Sequence, residues 1–291
     1  MLSASAPIGV FDSGLGGLTV ARAIADALPH ESIYYLGDTE RCPYGVRSEG
    51  EVCAFSVQAG RWLRERGVKL VVIACNTATA ASLPTMQRLF DVPVIGVIAP
   101  GARAAIHSTH TRRVGVLATE LTVRSGAYTR AIHNLDAGTE VYGCAASGFV
   151  GIVEGELLGT PHVGEHWQSS PDVFDVPDVA AEVGRTVAPL VAAHVDTVVL
   201  GCTHFPLLAG PISRALGNGV RVVSSAEETT HELEDILRRR ELLADGNVVP
   251  AYRFATTSED IAQFAAAGSY IFGRPLTSVE HVDVSMLSGL Y

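Results

Sequence analysis

The chain carries one pattern twice, at Val72-Ile73-Ala74-Cys75-Asn76-Thr77 and again at Val199-Leu200-Gly201-Cys202-Thr203-His204. In each stretch an apolar run leads to a small residue, a cysteine and two polar residues, and a helical pattern follows. Short continuous apolar runs are typical of strands buried in a parallel sheet. The repetition therefore predicts two related halves, each with a cysteine where one of its strands ends.

The rest of the chain alternates in the same way. Strand-like runs are predicted at 8–11, 33–36, 70–74, 94–97, 114–117, 140–143, 197–201 and 220–223, and helical spacing separates most of them. Strands alternating with helices predict an α/β fold of mainly parallel, doubly wound sheets with helices on both faces. A boundary between the halves is expected near 97–113, whereas the last pattern, 253–267, fits either half. Residues 159–177 contain three prolines and predict a loop or a short helical excursion.

Composition and charge exclude several classes of protein. The chain has 291 residues, of which 47% are hydrophobic and 18% charged, an ordinary globular composition with enough apolar side chain for two domains. The formal net charge of −10 disfavours a broad surface for nucleic acid or for an anionic membrane, so neither partner is expected. No apolar run reaches the ~18–20 residues of a membrane span, and the first residues lack a leader pattern. We expect a cytoplasmic protein.

The scarcity of lysine limits the cofactors. Lys69 is the sole lysine, and it precedes the run at 70–74, at the end of the strand opposite to the one where α/β proteins bind ligands. A Schiff base with pyridoxal phosphate is therefore not expected, and no cofactor is predicted. The five cysteines are odd in number and include no Cys-x-x-Cys pair, which argues against a disulfide framework or a zinc ribbon.

The matched cysteines, Cys75 and Cys202, are the candidate reactive groups. Both are predicted at the ligand-binding edge of a sheet, and each is expected to open a helix capped by Asn76, Thr77 or Thr203. Because the positive end of a helix dipole favours a thiolate, both thiols are predicted to have a lowered pKa. Two thiols facing each other across a cleft would invert a carbon centre by removing a proton from one face and delivering one to the other. The other three cysteines are interpreted as apolar core residues: Cys42, Cys53 and Cys144.

Polar groups near the predicted strand ends suit the substrate of such a reaction. The turn Asp12-Ser13-Gly14-Leu15-Gly16-Gly17 follows the first strand and opens a helix, as an anion-binding loop does, but it lacks the spacing of a nucleotide motif. Asp12 is predicted to position or deprotonate a thiol, or to receive an ammonium group. His204 is predicted to relay protons or to hold the charge of Cys202. Glu154 is an acidic residue in an apolar segment, and the alternative to a functional role is that it lies at a solvent-exposed helix end.

Taken together, these motifs resemble those of the glutamate racemases, within the aspartate/glutamate racemase superfamily. The resemblance rests on five motifs in this order: Val10–Gly17, Gly37–Thr39, Pro43–Gly45, Ala74–Ala78 and Gly201–Pro206. It implies two pseudo-symmetric, doubly wound domains with the active site in the cleft between them. We expect a first domain of residues 1–99, completed by about 225–291, and a second of residues 100–224.

The resemblance also implies an activity and a site. Members interconvert L- and D-glutamate without a cofactor or a metal, supply D-glutamate for peptidoglycan, and usually form homodimers. The implied catalytic residues are Cys75 and Cys202, as proton acceptor and donor, with Asp12, His204 and Glu154. The implied substrate contacts are Asp12, Ser13, Tyr44, Gly45, Asn76, Thr77, Thr119, Thr122, Thr203 and His204.

Three other interpretations stay open from the residues alone. A related racemase could act on aspartate or on a hydantoin. Cys75, Cys202, His204 and Asp12 could form a metal-binding or redox module, although the amide of Asn76 serves a metal poorly. A regulatory binding protein is the last alternative, and it leaves the duplicated thiols unexplained.

Overall fold

Two parallel sheets with related strand orders form the centre of the protein in the computed structural model, which describes residues 3–159, 173–247 and 249–289. The strands are β1 (Ile8–Asp12), β2 (Ile33–Gly37), β3 (Leu70–Ile73), β4 (Val94–Gly96), β5 (Arg113–Ala118), β6 (Glu140–Ala145), β7 (Thr197–Gly201), β8 (Arg221–Ser224), β9 (Tyr252–Thr256) and β10 (Val279–His281). The first sheet has the order β10-β9-β2-β1-β3-β4 and the second β6-β5-β7-β8. The segments β2-β1-β3-β4 and β6-β5-β7-β8 correspond strand for strand, which confirms the predicted α/β fold of two related halves.

Helices cover both faces of the first sheet. The helices of both halves, within the described residues, are α1 (Leu18–Ala27), α2 (Glu49–Glu65), α3 (Asn76–Leu89), α4 (Ile98–Ser108), α5 (Glu120–Ser125), α6 (Ala127–Leu135), α7 (Gly148–Gly159), α8 (Pro177–Ala192), α9 (Ala209–Leu216), α10 (Ala226–Arg239), α11 (Ile261–Phe272) and α12 (Val284–Ser288). On β1, Val10 packs in the core that includes Leu18 of α1, and its neighbour Phe11 packs in the core that includes Trp62 of α2. Because successive side chains of a strand point to opposite faces, β1 is apolar along its length.

Two helices begin where apolar spacing did not predict them. α2 starts at Glu49, in a polar stretch, because Ser48 and Glu51 form a capping box that satisfies free N–H groups at the helix end. α4 runs through the stretch in which a boundary was expected. Its Pro100 lies in the first turn of the helix, where the backbone nitrogen has no intrahelical acceptor, so proline and Gly101 there do not mark a linker.

The C-terminal strands join the first sheet. β9 pairs in parallel with β2 over Tyr252–Thr256, and β10 pairs with β9. The last pattern of the sequence, which fitted either half, therefore extends the first sheet. Residues 160–172, which hold most of the predicted loop or helical excursion at 159–177, lie outside the described residues. None of the described helices is long and apolar enough to cross a membrane.

Candidate functional site

The strand order places four functional side chains at two matching crevices. β1 lies between β2 and β3. The connection after β1 runs towards β2, and the connection after β3 runs in the opposite direction, towards β4. Ligands of open α/β sheets bind at such a reversal, beyond the carboxyl ends of the strands. Asp12 ends β1 and Cys75 follows β3; in the second sheet Thr119 follows β5 and Cys202 follows β7.

Both crevices open into one pocket, with an empty volume of about 290 Å³. Cys75 and Cys202 line it with exposed fractions of only 6% and 7%. Of the predicted site residues, ten are in its lining: Ser13, Tyr44, Gly45, Cys75, Asn76, Thr77, Thr119, Cys202, Thr203 and His204. The other three, Asp12, Thr122 and Glu154, each form a hydrogen bond with a lining residue.

A larger cleft lies elsewhere on the described part of the protein. It has an empty volume of about 1720 Å³ and is bordered by residues of α1, α4, β8 and α10, such as Arg22, His107 and Glu227. No cysteine lines this cleft. The chemistry of its lining, rather than volume, makes the smaller pocket the candidate active site.

A chain of hydrogen bonds runs away from the second thiol. Cys202 Sγ lies 3.7 Å from His204 Nδ1, and His204 Nε2 lies 3.0 Å from Glu154 Oε1. Burial opposes the charged imidazole, but the hydrogen bonds with Cys202 and Glu154 outweigh it and raise the pKa of His204 well above its usual value. Burial likewise opposes the Glu154 carboxylate, yet the hydrogen bond and charge of His204 lower the pKa of Glu154. The raised pKa favours an imidazolium at this position, next to Cys202.

The first thiol has a different environment. Cys75 Sγ accepts a hydrogen bond from the Ala78 N–H at 3.4 Å and lies 3.7 Å from Ser13 Oγ. Burial and, next, the negative charge of Asp12 raise the pKa of Cys75 to about 12. The predicted lowering of this pKa is wrong, because burial and the Asp12 carboxylate destabilise the thiolate more than the helix N-terminus stabilises it. Without a ligand, Cys75 is a neutral thiol at pH 7.

Asp12 links the two halves from beneath the pocket. Its side chain is fully buried, its Oδ1 accepts from the Gly14 N–H at 3.1 Å, and its Oδ2 accepts from Thr203 Oγ1 at 3.2 Å. Burial raises the pKa of Asp12 above its usual value, although the charge of His204 and these hydrogen bonds act in the opposite direction. A positively charged group in the pocket would strengthen the ionised form.

Three threonine hydroxyls form a triangle at the pocket, where Thr77 and Thr119 line it and Thr122 lies behind them. Thr77 Oγ1 lies 2.9 Å from Thr119 Oγ1 and 3.1 Å from Thr122 Oγ1, and the last two are 3.0 Å apart. Thr77 belongs to the first half and the other two belong to the second, so the cluster exists only when the halves are together. Hydroxyls of this kind donate hydrogen bonds to a carboxylate.

The turn that carries Tyr44 and Gly45 is held by an acidic residue. Asp38 accepts hydrogen bonds from the Tyr44 hydroxyl and from Arg41 Nε, the latter at 2.7 Å. A Cβ at Gly45 would lie only 2.8 Å from Thr119 Cβ, so this position must be free of a side chain if the turn is to approach the second half. Tyr44 and Gly45, both predicted to contact the substrate, therefore reach the pocket because the backbone of their turn closely approaches Thr119 of the second half.

The predicted caps differ from those in the structure. The N-cap of α3 is Cys75 itself, not Asn76 or Thr77, because its sulfur accepts from the Ala78 N–H. Cys202 does not open an α-helix directly: a 3₁₀ turn, Phe205–Leu208, separates it from α9. The helix-dipole argument therefore does not apply to the second thiol, since that effect is confined to the first turn. Glu154, with 20% of its side chain exposed, is bonded to His204 rather than solvated at a helix end.

Sequence reasoning missed several residues around the site. Cys42, interpreted as a core residue, lies 3.5 Å from Glu154 Oε1, and its position just before Pro43-Tyr44-Gly45 was the available signal. Pro43 and Val150 line the pocket. Tyr128 donates to Asn76 Oδ1 at 2.7 Å, and nothing in the sequence pattern marks it.

The residues do not assemble a metal site of the kind considered from the sequence. Among residues 3–159, 173–247 and 249–289, no group of three or more His, Cys, Asp or Glu side chains is arranged to hold a metal ion. The second thiol and its histidine are instead connected to Glu154 through hydrogen bonds.

Comparison with known proteins gives consistent matches. A family model described as Asp/Glu/Hydantoin racemase matches residues 17–233. The chain is 45% identical over 255 residues to a glutamate racemase of Lysinibacillus sphaericus (strain C3-41), covering 87% of this chain and 89% of that protein. A glutamate racemase structure from Bacillus anthracis superposes with a TM-score of 0.85 at 42% identity, covering 96% of this chain and 98% of that one. A Francisella tularensis glutamate racemase in complex with D-glutamate has a TM-score of 0.84 at 29% identity, covering 97% and 98%.

Proposed function

Because the chain belongs to the Asp/Glu/Hydantoin racemase family, we propose that it interconverts L- and D-glutamate by proton transfer between Cα and two opposed thiols, without a cofactor. One observation carries the proposal: Cys75 and Cys202 follow equivalent strands of the two halves and line the same small pocket. In a bacterium with a peptidoglycan wall, the D-glutamate formed would supply its precursors.

The two environments suit opposite starting states of the thiols. In one direction Cys202, reacting as a thiolate beside His204, removes the proton from Cα, while neutral Cys75 delivers its proton to the opposite face. In the reverse direction Cys75 must be ionised. A substrate ammonium beside Asp12 offsets the negative charge that opposes this ionisation.

The polar lining acts on the carboxylates of the substrate. An α-proton beside a carboxylate is a weak acid, so negative charge that develops on the carboxylate must be stabilised as the proton leaves. Asn76, Thr77 and Thr203 lie beside the thiols and supply amide and hydroxyl donors. The hydroxyls of Thr119 and Thr122 extend this donor surface from the second half.

The test follows each enantiomer of glutamate by circular dichroism, with the reaction repeated in D₂O. Product formed from either enantiomer should carry deuterium at Cα. Cys75→Ala and Cys202→Ala should each lower kcat by at least ~10²-fold, since each removes one acid–base group. Cys53→Ala, which changes a half-buried thiol on α2, is the matched control and should keep wild-type activity.

Three outcomes would overturn the proposal. Full racemisation by either the Cys75 or the Cys202 variant would exclude the two-thiol reaction. Activity on aspartate or a hydantoin with none on glutamate would assign a different substrate within the family. Stoichiometric zinc in the purified protein would support the metal-binding interpretation instead.

We further propose a cytoplasmic homodimer in which residues 1–99 with about 225–291 form one domain and 100–224 the other. The pairing of β9 with β2 supports the division into domains. The free thiols at the pocket suit a reducing compartment, and the dimer is supported by the resemblance to the family. Sedimentation equilibrium at micromolar concentration measures the mass, and a monomer there would contradict the dimer.

A further inference from the structure

A buried tyrosine from the second half reaches the residue beside the first thiol. Tyr128, on α6, is 2% exposed, and its hydroxyl donates to Asn76 Oδ1 at 2.7 Å. Asn76 is the first residue of α3 and directly follows Cys75. Burial, and then the charge of Cys202, raise the pKa of Tyr128 above its usual value, so the hydroxyl stays protonated and remains a donor at neutral pH.

The ring of the same tyrosine packs against the residue beside the second thiol. A Cβ at Gly201, which directly precedes Cys202, would lie 3.0 Å from Cε2 of the Tyr128 ring. A Cβ at Gly101 on α4 would lie 2.8 Å from the Tyr128 hydroxyl oxygen. Both distances are shorter than ordinary van der Waals contacts, so the ring occupies space that two glycines leave open. One side chain therefore contacts the immediate neighbours of both thiols.

The hydrogen bond also determines which end of the Asn76 amide is available to a ligand. A side-chain amide has an acceptor end and a donor end, and the Tyr128 hydroxyl occupies the acceptor Oδ1. Asn76 Nδ2 makes no hydrogen bond to another described residue, and Asn76 lines the pocket. The donor end is thus left for an anionic group such as a carboxylate.

We propose that Tyr128 is a positioning residue for racemisation: its hydroxyl keeps the Asn76 amide nitrogen directed at a substrate carboxylate, and its ring supports the turn that carries Cys202. The inference rests on the proposed function, because it assigns Asn76 to substrate binding. Tyr128 itself does not touch the substrate. Without its hydroxyl, the Asn76 amide would lose its fixed orientation and could present oxygen to the carboxylate, which is repulsive.

The test is Tyr128→Phe, which keeps the ring and removes the hydroxyl. We expect kcat/KM for glutamate to fall about tenfold, equally in both directions, because the equilibrium constant between enantiomers is one. Tyr34→Phe is the matched control: it also removes a hydroxyl that donates to a side chain, here Glu280, and that pair is outside the pocket lining. Its kcat/KM should equal that of the wild type.

A double-mutant cycle separates positioning from a general structural effect. Asn76→Ala alone should lower kcat/KM, and adding Tyr128→Phe should then cause no further loss, because the amide to be oriented is absent. If the two losses multiply, or if Tyr128→Phe alone retains wild-type kcat/KM, the inference is overturned. Wild-type protein that fails to racemise glutamate would instead overturn the proposed function.

A measurement on the wild-type protein covers the case in which Tyr128→Phe does not fold. The chain has only four asparagines, Asn76, Asn134, Asn218 and Asn247, so ¹⁵N-asparagine labelling resolves their side-chain amides by NMR. Adding glutamate should shift the Asn76 amide pair and leave the other three in place. An unshifted Asn76 pair at saturating glutamate would show that this amide does not meet the substrate, and the inference would fail.

Discussion

Glu154→Gln tests the hydrogen-bond chain behind the second thiol. The glutamine oxygen still accepts from His204 Nε2, whose present distance to Glu154 is 3.0 Å, but the negative charge is gone. A hydrogen bond to a charged partner contributes about 1.5–3 kcal/mol and a neutral one about 0.5–1.5 kcal/mol, so the substitution should cost about 1–2 kcal/mol of unfolding free energy at pH 7. The same loss of charge should lower the pKa of His204.

The sign of the pH dependence follows from the direction of this pKa shift. A histidine whose folded pKa is raised contributes stability that is complete below its unfolded pKa of about 6.5 and is lost as pH rises through the folded value. Wild-type protein should therefore lose stability above about pH 6.5, at up to about 1.4 kcal/mol per pH unit for this group. In Glu154→Gln the decline should be smaller, because less stability is gained from the charged form.

Two assays check this expectation. Urea unfolding between pH 6 and 9 measures the slope, and circular dichroism over the same range measures racemisation. We expect kcat/KM to fall about 10–100-fold at pH 7, since Cys202 loses part of the positive charge beside it. Glu182→Gln, which removes the acid of a surface pair with Arg185, is the control and should leave both profiles unchanged. A Glu154→Gln enzyme with wild-type slope and wild-type pH–rate profile would refute the role of the chain.

Three further results are expected. Lys69→Met breaks a fully buried ion pair with Glu31 (2.5 Å) and should lower the free energy of unfolding, measured in urea, by about 3–5 kcal/mol. The double variant Lys69→Met with Glu31→Gln should recover part of that loss, because no unpaired charge stays buried. A double variant as unstable as Lys69→Met alone would contradict this. Gly16→Ala places a Cβ 2.6 Å from His204 Nδ1 and should reduce kcat/KM at least tenfold with about 1–3 kcal/mol of destabilisation, and unchanged kinetics would argue against close approach of the halves. Alkylation of unliganded Cys75 by iodoacetamide, followed by peptide mass spectrometry, should be far slower at pH 7 than that of free cysteine and rise tenfold per pH unit, because its pKa is raised to about 12; a plateau near pH 9 would be inconsistent.

Sequence reasoning worked best where the signal was local. The apolar runs before Cys75 and Cys202 are strands because a parallel strand covered on both faces needs apolar residues in succession. The repeated run likewise placed both cysteines at equivalent strand ends. Helix limits were less accurate: α2 begins with a polar capping box, and α4 contains Pro100 in its first turn.

The site was predicted in part. The resemblance supplied a residue set that the structure brings to one pocket, and the residues alone supplied the reason for a pair of thiols. The function of Glu154 could not be inferred from its surroundings in sequence, since its partner His204 is 50 residues away. Tyr128 contacts Asn76 across 52 residues, and no spacing rule connects them.

The sequence by itself determined the α/β alternation, its duplication and the placement of a thiol after one strand of each half. It could do so because a buried strand is recognised from consecutive apolar residues. The tertiary structure alone decided the electrostatic surroundings of those thiols. Cys75 is a neutral thiol because burial and Asp12, 63 positions earlier in the chain, act on it together. Cys202 has an imidazolium beside it because Glu154 reaches His204. Both effects depend on charge and solvent exclusion through space, which the order of residues does not specify.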